Sequence, residues 1–445
     1  MHLTKRQSCR VCGSHSLVKV IDLGEQHLQG SFLKPGREDP PLRKIPTSLV
    51  RCDPAREERA CGLLQMEYTV PTEILYSSYW YRSGTNQTMR DHLQSIAEEG
   101  AALSGKNNAK VLDIGCNDGT LLANYPETFA KFGVDPSDVA LSARIKFRLV
   151  QDVFPSTELI NLLETEKLDI ITAIAMFYDL ENPVHFARGI RDVLAPDGLW
   201  IFEMSYMPSM LEANSYDTIC VEHLEYYSLA VIENILHRAD LKAFRATFNS
   251  INGGSIRVYA THAANFKFKS PTYAEELRKL RQQEFDLELD TDKPYRNFQD
   301  RINVHRQELN QLLKKLRQEG KRIHIYGAST KGNTILQWCG IDNRIIDFAA
   351  ERNPDKFGAQ TLGTDIPIIS EAESRAMKPD YYLVLPWHFA DEFLQRERET
   401  ILNGTGMIFP LPKITVIDKF SLGQEKVTLQ SSTLDRHGKS HYFRS

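Results

Sequence analysis

Apolar and polar positions change rhythm several times along the chain. Across residues 9–61 glycine, proline and charge break up the apolar positions and no helical period survives, so this stretch buries little core unaided and needs a staple. From 69 to 104 an aromatic stretch gives way to helical spacing, with Met89, Leu93, Ile96 and Ala97 on one face and Thr85 or Asn86 as N-cap, which predicts a linker entering a helix. Between Lys110 and about Ala263, short β-branched runs (KVLDIG, KFGVDP, LDIITAIAM, GLWIFEM and a last apolar pair around Ala243 and Ser255) alternate with helical stretches. That alternation predicts a mostly parallel sheet with helices on both faces.

A charged stretch follows over 273–320, in which Phe298, Ile302, Leu309, Leu312, Leu313 and Leu316 form one helical stripe. Its apolar repeat is short and Pro294 interrupts just before it, so it predicts helices packed on a neighbour rather than a free coiled coil. The α/β rhythm then restarts with KRIHIYGAST, a helix through 335–339, IIDFAAE, DYYLVLPW, a helix through Phe393, and MIFPLPKITVI, ending near Asp418. The polar remainder reads as a frayed tail. The expected divisions are 1–68, 69–265, 266–420 and a tail over 421–445.

Composition agrees with several cores: 445 residues accommodate about three domains, and 42% hydrophobic with 25% charged residues is an ordinary globular balance. Lys and Arg number 54 against 58 Asp and Glu, a net charge of −4, which leaves no positive excess to release counterions from a nucleic-acid backbone. The N-terminal residues lack the apolar core of a signal peptide, and the longest apolar run, 168–177, is too short to cross a bilayer. The chain therefore reads as cytoplasmic, with no nucleic-acid or membrane partner.

Four of the seven cysteines fall in the first 61 residues. Cys9-Arg-Val-Cys12-Gly13 is a C-x-x-C-G turn, and Cys52 and Cys61, although eight residues separate them, complete a candidate tetrahedral four-sulfur site. A structural zinc is the favoured reading. Unligated buried thiols and a redox pair are the alternatives, and the redox reading lacks the strand and helix that usually frame such a pair.

VLDIGCNDGTLL (111–122) runs an apolar strand into Gly115-x-x-x-Gly119 and a helix, the arrangement that lets a ligand approach backbone amides. Asp113 precedes the loop, Asp135 ends the next strand and Asp152 a third; an acid at 135 is placed to accept both hydroxyls of a ribose. The dinucleotide spacing G-x-G-x-x-G is absent, and Asn117 and Asp118 occupy the loop where a carboxylate would repel a pyrophosphate. S-adenosylmethionine, a nucleoside with a cationic sulfonium and an amino-acid end, fits better. The loop resembles motif I of the Rossmann-like methyltransferases, and APDGLWIFE (195–203) is similar to their downstream turn and strand.

Residues 216–228, YDTICVEHLEYYS, crowd titratable and aromatic groups together, and an imidazole beside carboxylates is a ready general base. A capped helix start with a surface histidine is the plain alternative. EHLEYYS, with YWYRSGTNQTM (79–89), NGGSIR (252–257) and the N-terminal C-x-x-C-G, resembles the sugar C-methyltransferases that methylate C3 of nucleotide-linked 4-keto-deoxyhexoses, over nearly the whole chain. The resemblance implies an α/β fold in three parts: a zinc-binding module, a Rossmann-like class I methyltransferase domain, and a smaller C-terminal Rossmann-like domain. It implies that His223 is the base, that Glu222 orients it or holds the sugar, and that Tyr81 closes over the cofactor. Some members carry a histidine where this chain has Asp179, a tyrosine where it has Cys220, and a histidine where it has Asn252; Asp179 or Tyr178 then stands as the second proton-handling group.

Asn252, Gly253, Gly254, Ser255 and Arg257 are the substrate candidates of the central part. In the C-terminal part HIYGASTKGNTIL is a strand, small turn and helix start without the G-K-[ST] of a Walker loop. The resemblance implies a grip on the substrate's diphosphate there, through Lys331, Asn333, Glu351, Arg352 and Lys356; a domain that only packs is the alternative. The expected partner is a small sugar-nucleotide substrate, with the protein a monomer or weak homo-oligomer. An O- or N-methyltransferase, and a non-catalytic binding protein on the same scaffold, are the competing functions.

Overall fold

The computed structural model describes residues 3–36, 43–71, 83–85, 87–143 and 147–422. In the N-terminal module β1 (Leu17–Gln26), β2 (Ile45–Cys52) and β3 (Leu64–Met66) form an antiparallel sheet. After α1 (Gln87–Ser104), whose Met89, Leu93, Ile96 and Ala97 are buried as their spacing predicts, the central sheet begins.

Its strands are β4 (Lys110–Ile114), β5 (Ala130–Val134), β6 (Arg148–Val150), β7 (Leu168–Ile174) and β8 (Leu194–Ser205), with α2 (Pro183–Val193) between the last two. The segment β9 (Glu225–Tyr226), the helix α3 (Leu229–Arg238) and the hairpin strands β10 (Leu241–Asn249) and β11 (Ser255–His262) follow. The spatial order is β10-β11-β8-β7-β4-β5-β6. β6, β5, β4, β7 and β8 run parallel, while β11 is antiparallel to both β8 and β10. Strand order reverses between β4 and β7, so the loops after those two strands open a crevice at the carboxyl edge, where α/β sheets take ligands.

Strand β9 does not join this sheet. It pairs with β3 (Glu225 opposite Gln65, Tyr226 opposite Leu64), so the segment just after His223 is an edge strand of the N-terminal module.

Two helices lead onward, α4 (Pro271–Asp286) and α5 (Lys293–Gln318). They part company: Leu277 and Leu280 of α4 bury with the central sheet, whereas Phe298, Ile302, Leu309, Leu313 and Leu316 of α5 lie in a core shared by the N-terminal and C-terminal parts. Leu312 packs at the margin of that core, and Tyr295 and His305 are buried on the same helix. The N-terminal module thus has a second support, for Ile21, Leu23, Ile45 and Leu49 share α5's core with Ile323 and Ile325.

The C-terminal sheet is built from β12 (Ile323–Tyr326), β13 (Phe348–Glu351), β14 (Ile368–Ser370), β15 (Tyr381–Val384), β16 (Gly406–Phe409) and β17 (Thr415–Ile417), with α6 (Thr330–Cys339) after β12. The order is β14-β13-β12-β15-β16-β17, parallel except for β17. The expected tail lies, beyond Leu422, outside the described residues. Among the described residues no helix is long and apolar enough to cross a membrane.

Candidate active site

The thiols of Cys9, Cys12, Cys52 and Cys61 all lie within 4.8 Å of one another, with 3.5 Å between Cys9 and Cys61 and between Cys12 and Cys52. Sulfurs about 2.3 Å from a central zinc stand roughly 3.8 Å apart, so these four fit a tetrahedral ion with no open position, and its role is structural. Arg10, inside the C-x-x-C turn, is buried and runs away from the metal site: it donates to Gln65 (3.0 Å), the Met66 carbonyl (3.1 Å) and Thr69 (2.7 Å), and its Nε lies 3.9 Å from Glu225.

At the tip of β4 the chain turns through Gly115 (φ 71°), Asn117 (φ 49°) and Gly119 (φ 76°), all left-handed backbone that glycine adopts without strain. The buried Asp113 accepts from Thr172 Oγ1 at 2.6 Å, and burial pushes its carboxyl up to about 7. Asp135 accepts from the Asn117 amide (2.8 Å) and from the Ser137 amide and hydroxyl (2.8 and 2.5 Å), which fixes its carboxylate at the crevice. A carboxylate has about four acceptor sites, so one remains for a ribose hydroxyl. Asp152 instead receives the Ser156 hydroxyl at 2.7 Å, beside the helix Ser156 caps. Asn117 and Asp118 accept the amides of Ser83 (3.0 Å) and Gly84 (2.8 Å), a connection the sequence pattern does not show; Tyr81 lies outside the described residues. The donor and acceptor set suits a nucleoside carrying an amino acid.

On the other side of the crevice His223 donates from Nδ1 to the Thr218 carbonyl at 2.8 Å, so the lone pair is on Nε2. Its ring leans on Tyr178 (centroids 4.4 Å apart). Burial, with the nearby Lys331 charge, pushes its pKa down to about 4. Glu222 Oε1 accepts the Gly30 amide at 2.8 Å, and Oε2 has no partner among the described residues. A Cβ on Gly30 would overlap Glu222 Oε1, so a side chain at 30 would displace the carboxylate from this amide. The Leu224 amide donates to the Tyr178 carbonyl (2.8 Å), which zips the two loops together. Asp179 has its carboxyl pushed well up, first by burial and then by Glu225 and Glu222. His223, Glu222, Asp179 and Tyr178 are therefore brought together.

The C-terminal part completes the wall. Lys331 Nζ donates to the Asn252 carbonyl at 2.7 Å, in the turn where Asn252, Gly253 and Gly254 all have positive φ, and burial lowers its pKa. Asn333 donates to the Gln29 carbonyl (2.7 Å) while Gln29 Oε1 accepts the Val221 amide (3.3 Å), so one loop of the N-terminal module ties both other parts. Glu351 accepts the amides of Ala328, Arg352 and Asn353, and Lys356 lies 3.5 Å from it while donating to the Ala328 carbonyl (2.7 Å). These two stay at the small-residue turn after β12, and Arg352 is exposed.

Two of the substrate candidates are engaged within the fold. Arg257 sits in β11 opposite Glu203, with its guanidinium 2.8 Å from Glu203 and 3.1 Å from Glu99; strand alternation points it at α1 and not at the crevice. Ser255 is buried and spends its hydroxyl on the Ile251 carbonyl (2.9 Å).

Three family models match in sequence: "Putative zinc binding domain" over 9–76, "Methyltransferase domain" over 81–245 and "C-methyltransferase C-terminal domain" over 250–412. The C-methyltransferase NovU of Streptomyces niveus is 28% identical over 417 residues, which is 92% of this chain and 96% of that protein. Solved structures give weaker likenesses. N-methyltransferase NodS of Bradyrhizobium japonicum has a TM-score of 0.32 at 13% identity (40% of this chain, 98% of that one), and a methyltransferase of Clostridium acetobutylicum 0.31 at 14% (39% and 92%). With the three domains in this order, and a C-methyltransferase aligned across nearly all of both chains, the protein is an S-adenosylmethionine-dependent C-methyltransferase with an N-terminal zinc-binding domain.

Proposed function

We propose that this C-methyltransferase acts on a nucleotide-diphosphate-linked 4-keto-deoxysugar and methylates C3 through an enolate. The observation that carries the reading is the state of His223: Nδ1–H is held by the Thr218 carbonyl and the ring is neutral, so Nε2 offers a lone pair at neutral pH. Carbon beside a ketone is deprotonated when a base and a partner for the developing oxyanion act together. His223 Nε2 takes the C3 proton, and the electron pair of that C–H bond moves into the enolate, with its charge on the C4 oxygen. Lys331, a buried cation acting on the same histidine, is the partner for that oxygen. S-adenosylmethionine, held by Asp113, Gly115, Asn117, Gly119 and Asp135, supplies the electrophilic methyl group; Asp152 is the further candidate on that side.

Glu222 serves as acceptor for a sugar hydroxyl through Oε2, and Asp179, its carboxyl pushed well up by burial and then by Glu225 and Glu222, serves as the second proton-handling group beside Tyr178. Asn252, Gly253, Gly254 and Asn333 line the sugar end. Lys356, with Arg352, is available to the diphosphate, and Glu351 holds the turn between them.

Incubation of a panel of nucleotide-linked 4-ketohexoses with labelled cofactor tests the substrate class. The expected result is a carbon-methylated product from at least one ketosugar and none from the matching 4-hydroxy sugar. Equal methylation of the 4-hydroxy sugar, or methyl transfer only to oxygen or nitrogen, overturns the reading.

A further inference from the structure

Between the C-terminal sheet and His223 runs a continuous path of short contacts. Trp387, in the turn after β15, is 1% exposed, and its indole N–H donates to Asp217 Oδ2 at 2.9 Å. Asp217 is itself 1% exposed and forms the middle of the single helical turn Tyr216–Thr218. The next carbonyl along the chain, that of Thr218, accepts both His223 Nδ1–H (2.8 Å) and the Tyr226 hydroxyl (3.3 Å). The far side of the turn is tied as well, since the Thr218 amide and hydroxyl both return to the Ser215 carbonyl (3.1 and 2.8 Å).

The glycine turn makes room for this arrangement. A Cβ on Gly253 would stand 3.1 Å from the Trp387 ring, so the indole reaches Asp217 over a residue with no side chain. A buried carboxyl costs stability unless its oxygens are hydrogen-bonded, and the other oxygen of Asp217 has no partner among the described residues. The indole therefore supplies the side-chain donor that holds this turn.

We propose that Trp387 is a positioning residue for the base: through Asp217 it fixes the Thr218 carbonyl, and that carbonyl sets both the tautomer and the direction of His223. Trp387 has no role in touching the sugar. The C-terminal domain is on this account part of the deprotonation machinery, and not only a grip for the nucleotide. The inference rests on the reading of His223 as base, so the experiment separates the two.

Trp387→Phe keeps a ring and deletes the N–H. In the full-length protein with zinc bound, nitrogen-15 NMR of labelled histidine, with the His223 signals assigned by their loss in His223→Gln, should show the Nδ1–H form in the native protein and a mixture of tautomers in Trp387→Phe. Cofactor-free exchange of deuterium from solvent into the ketosugar should fall by about tenfold to a hundredfold, part of the roughly 10²–10⁴ that a positioned base contributes. The turnover number should fall with it, and KM for the sugar should stay within about twofold. Asp217→Asn, which keeps an oxygen for the indole, should retain most of the exchange rate, and Asp217→Leu should behave as Trp387→Phe; this pair also covers a tryptophan variant that fails to fold. Native tautomer and native exchange in Trp387→Phe, with exchange abolished in His223→Gln, overturns the positioning role and leaves the base in place. Native exchange in His223→Gln overturns the base reading instead, and the tautomer measurement then decides the positioning alone.

Discussion

The two α/β units repeat one local design and use it differently. Each runs a strand into a small-residue turn and a helix, and each places an acid at the end of the neighbouring strand: Asp135 after β5 and Glu351 at the end of β13. In the central unit Asp135 anchors the Asn117 amide, and the loop in turn holds Ser83 and Gly84, so the turn is braced from outside its own mouth. In the C-terminal unit Glu351 and Lys356 close upon Ala328, from opposite ends of that residue's backbone. The side chains of the following helix, Lys331 and Asn333, reach out to Asn252 and Gln29. One unit presents its turn at the crevice; the other sends Lys331 and Trp387 to Asn252 and Asp217 of the first.

Breaking the support shared by both units gives the largest effect. Strand β9 lies on the sheet of the zinc-binding module, so removing the metal by chelation, or Cys52→Ser, should abolish methyl transfer and lower the melting temperature, since structural zinc contributes on the order of 10 kcal/mol in small domains. Binding of S-adenosylmethionine by calorimetry should survive. Loss of cofactor binding along with turnover would mean that the module supports the central unit as a whole and not the His223 loop.

The comparison of the two acids is sharpened by a pair of substitutions. Asp135→Ala should weaken cofactor binding at least about tenfold, equivalent to roughly 1.4 kcal/mol, and Glu351→Ala should leave it unchanged while raising KM for the sugar nucleotide. Equal loss of cofactor affinity in both variants would erase the distinction between the units.

The smallest effect concerns pH. His223 has a folded-state pKa of about 4 against an ordinary value near 6.5, so the folded protein disfavours its protonation, and the stability tied to the neutral ring is present above pH 6.5 and lost as pH falls towards 4. The acid limb of turnover should accordingly fall well below pH 6.5. Tyr178 and Glu225 stand beside the ring and the Lys331 charge acts on it, and Lys331→Met, whose turnover should be reduced by loss of the oxyanion partner, should move the limb of the residual turnover upward by removing the positive charge. An unmoved limb in that variant would assign the depressed pKa to burial alone.

Much of this was legible locally. The four cysteines, the strand-to-glycine turn with Asp113 and Asp135, and the crowding at 216–228 are short patterns whose chemistry is carried by neighbours in sequence. Contacts between distant segments are not visible to periodicity: Gly30 meets Glu222 across 192 positions and Trp387 meets Asp217 across 170. The edge strand Glu225–Tyr226 is two residues long and draws its partner from the N-terminal module, so no alternation announces it. Arg257 stands just after a glycine pair and reads as a substrate candidate, while the pairing of β11 sets it against Glu203 and Glu99. The helix Pro271–Asp286 reads as one stretch with the helix after it, yet its two buried leucines and Glu284, which accepts the Leu229 and Ala230 amides, belong to the central unit. Packing assigns a helix to a core; its own sequence only says which face is apolar.

The central claim, that His223 removes a proton from the carbon beside the sugar ketone, is tested most directly by deuterium exchange in heavy water with substrate and no cofactor. Native enzyme should place deuterium at that carbon, and His223→Gln should lose the exchange by roughly 10²–10⁴-fold with S-adenosylmethionine binding intact. Exchange at the native rate in His223→Gln would contradict the account.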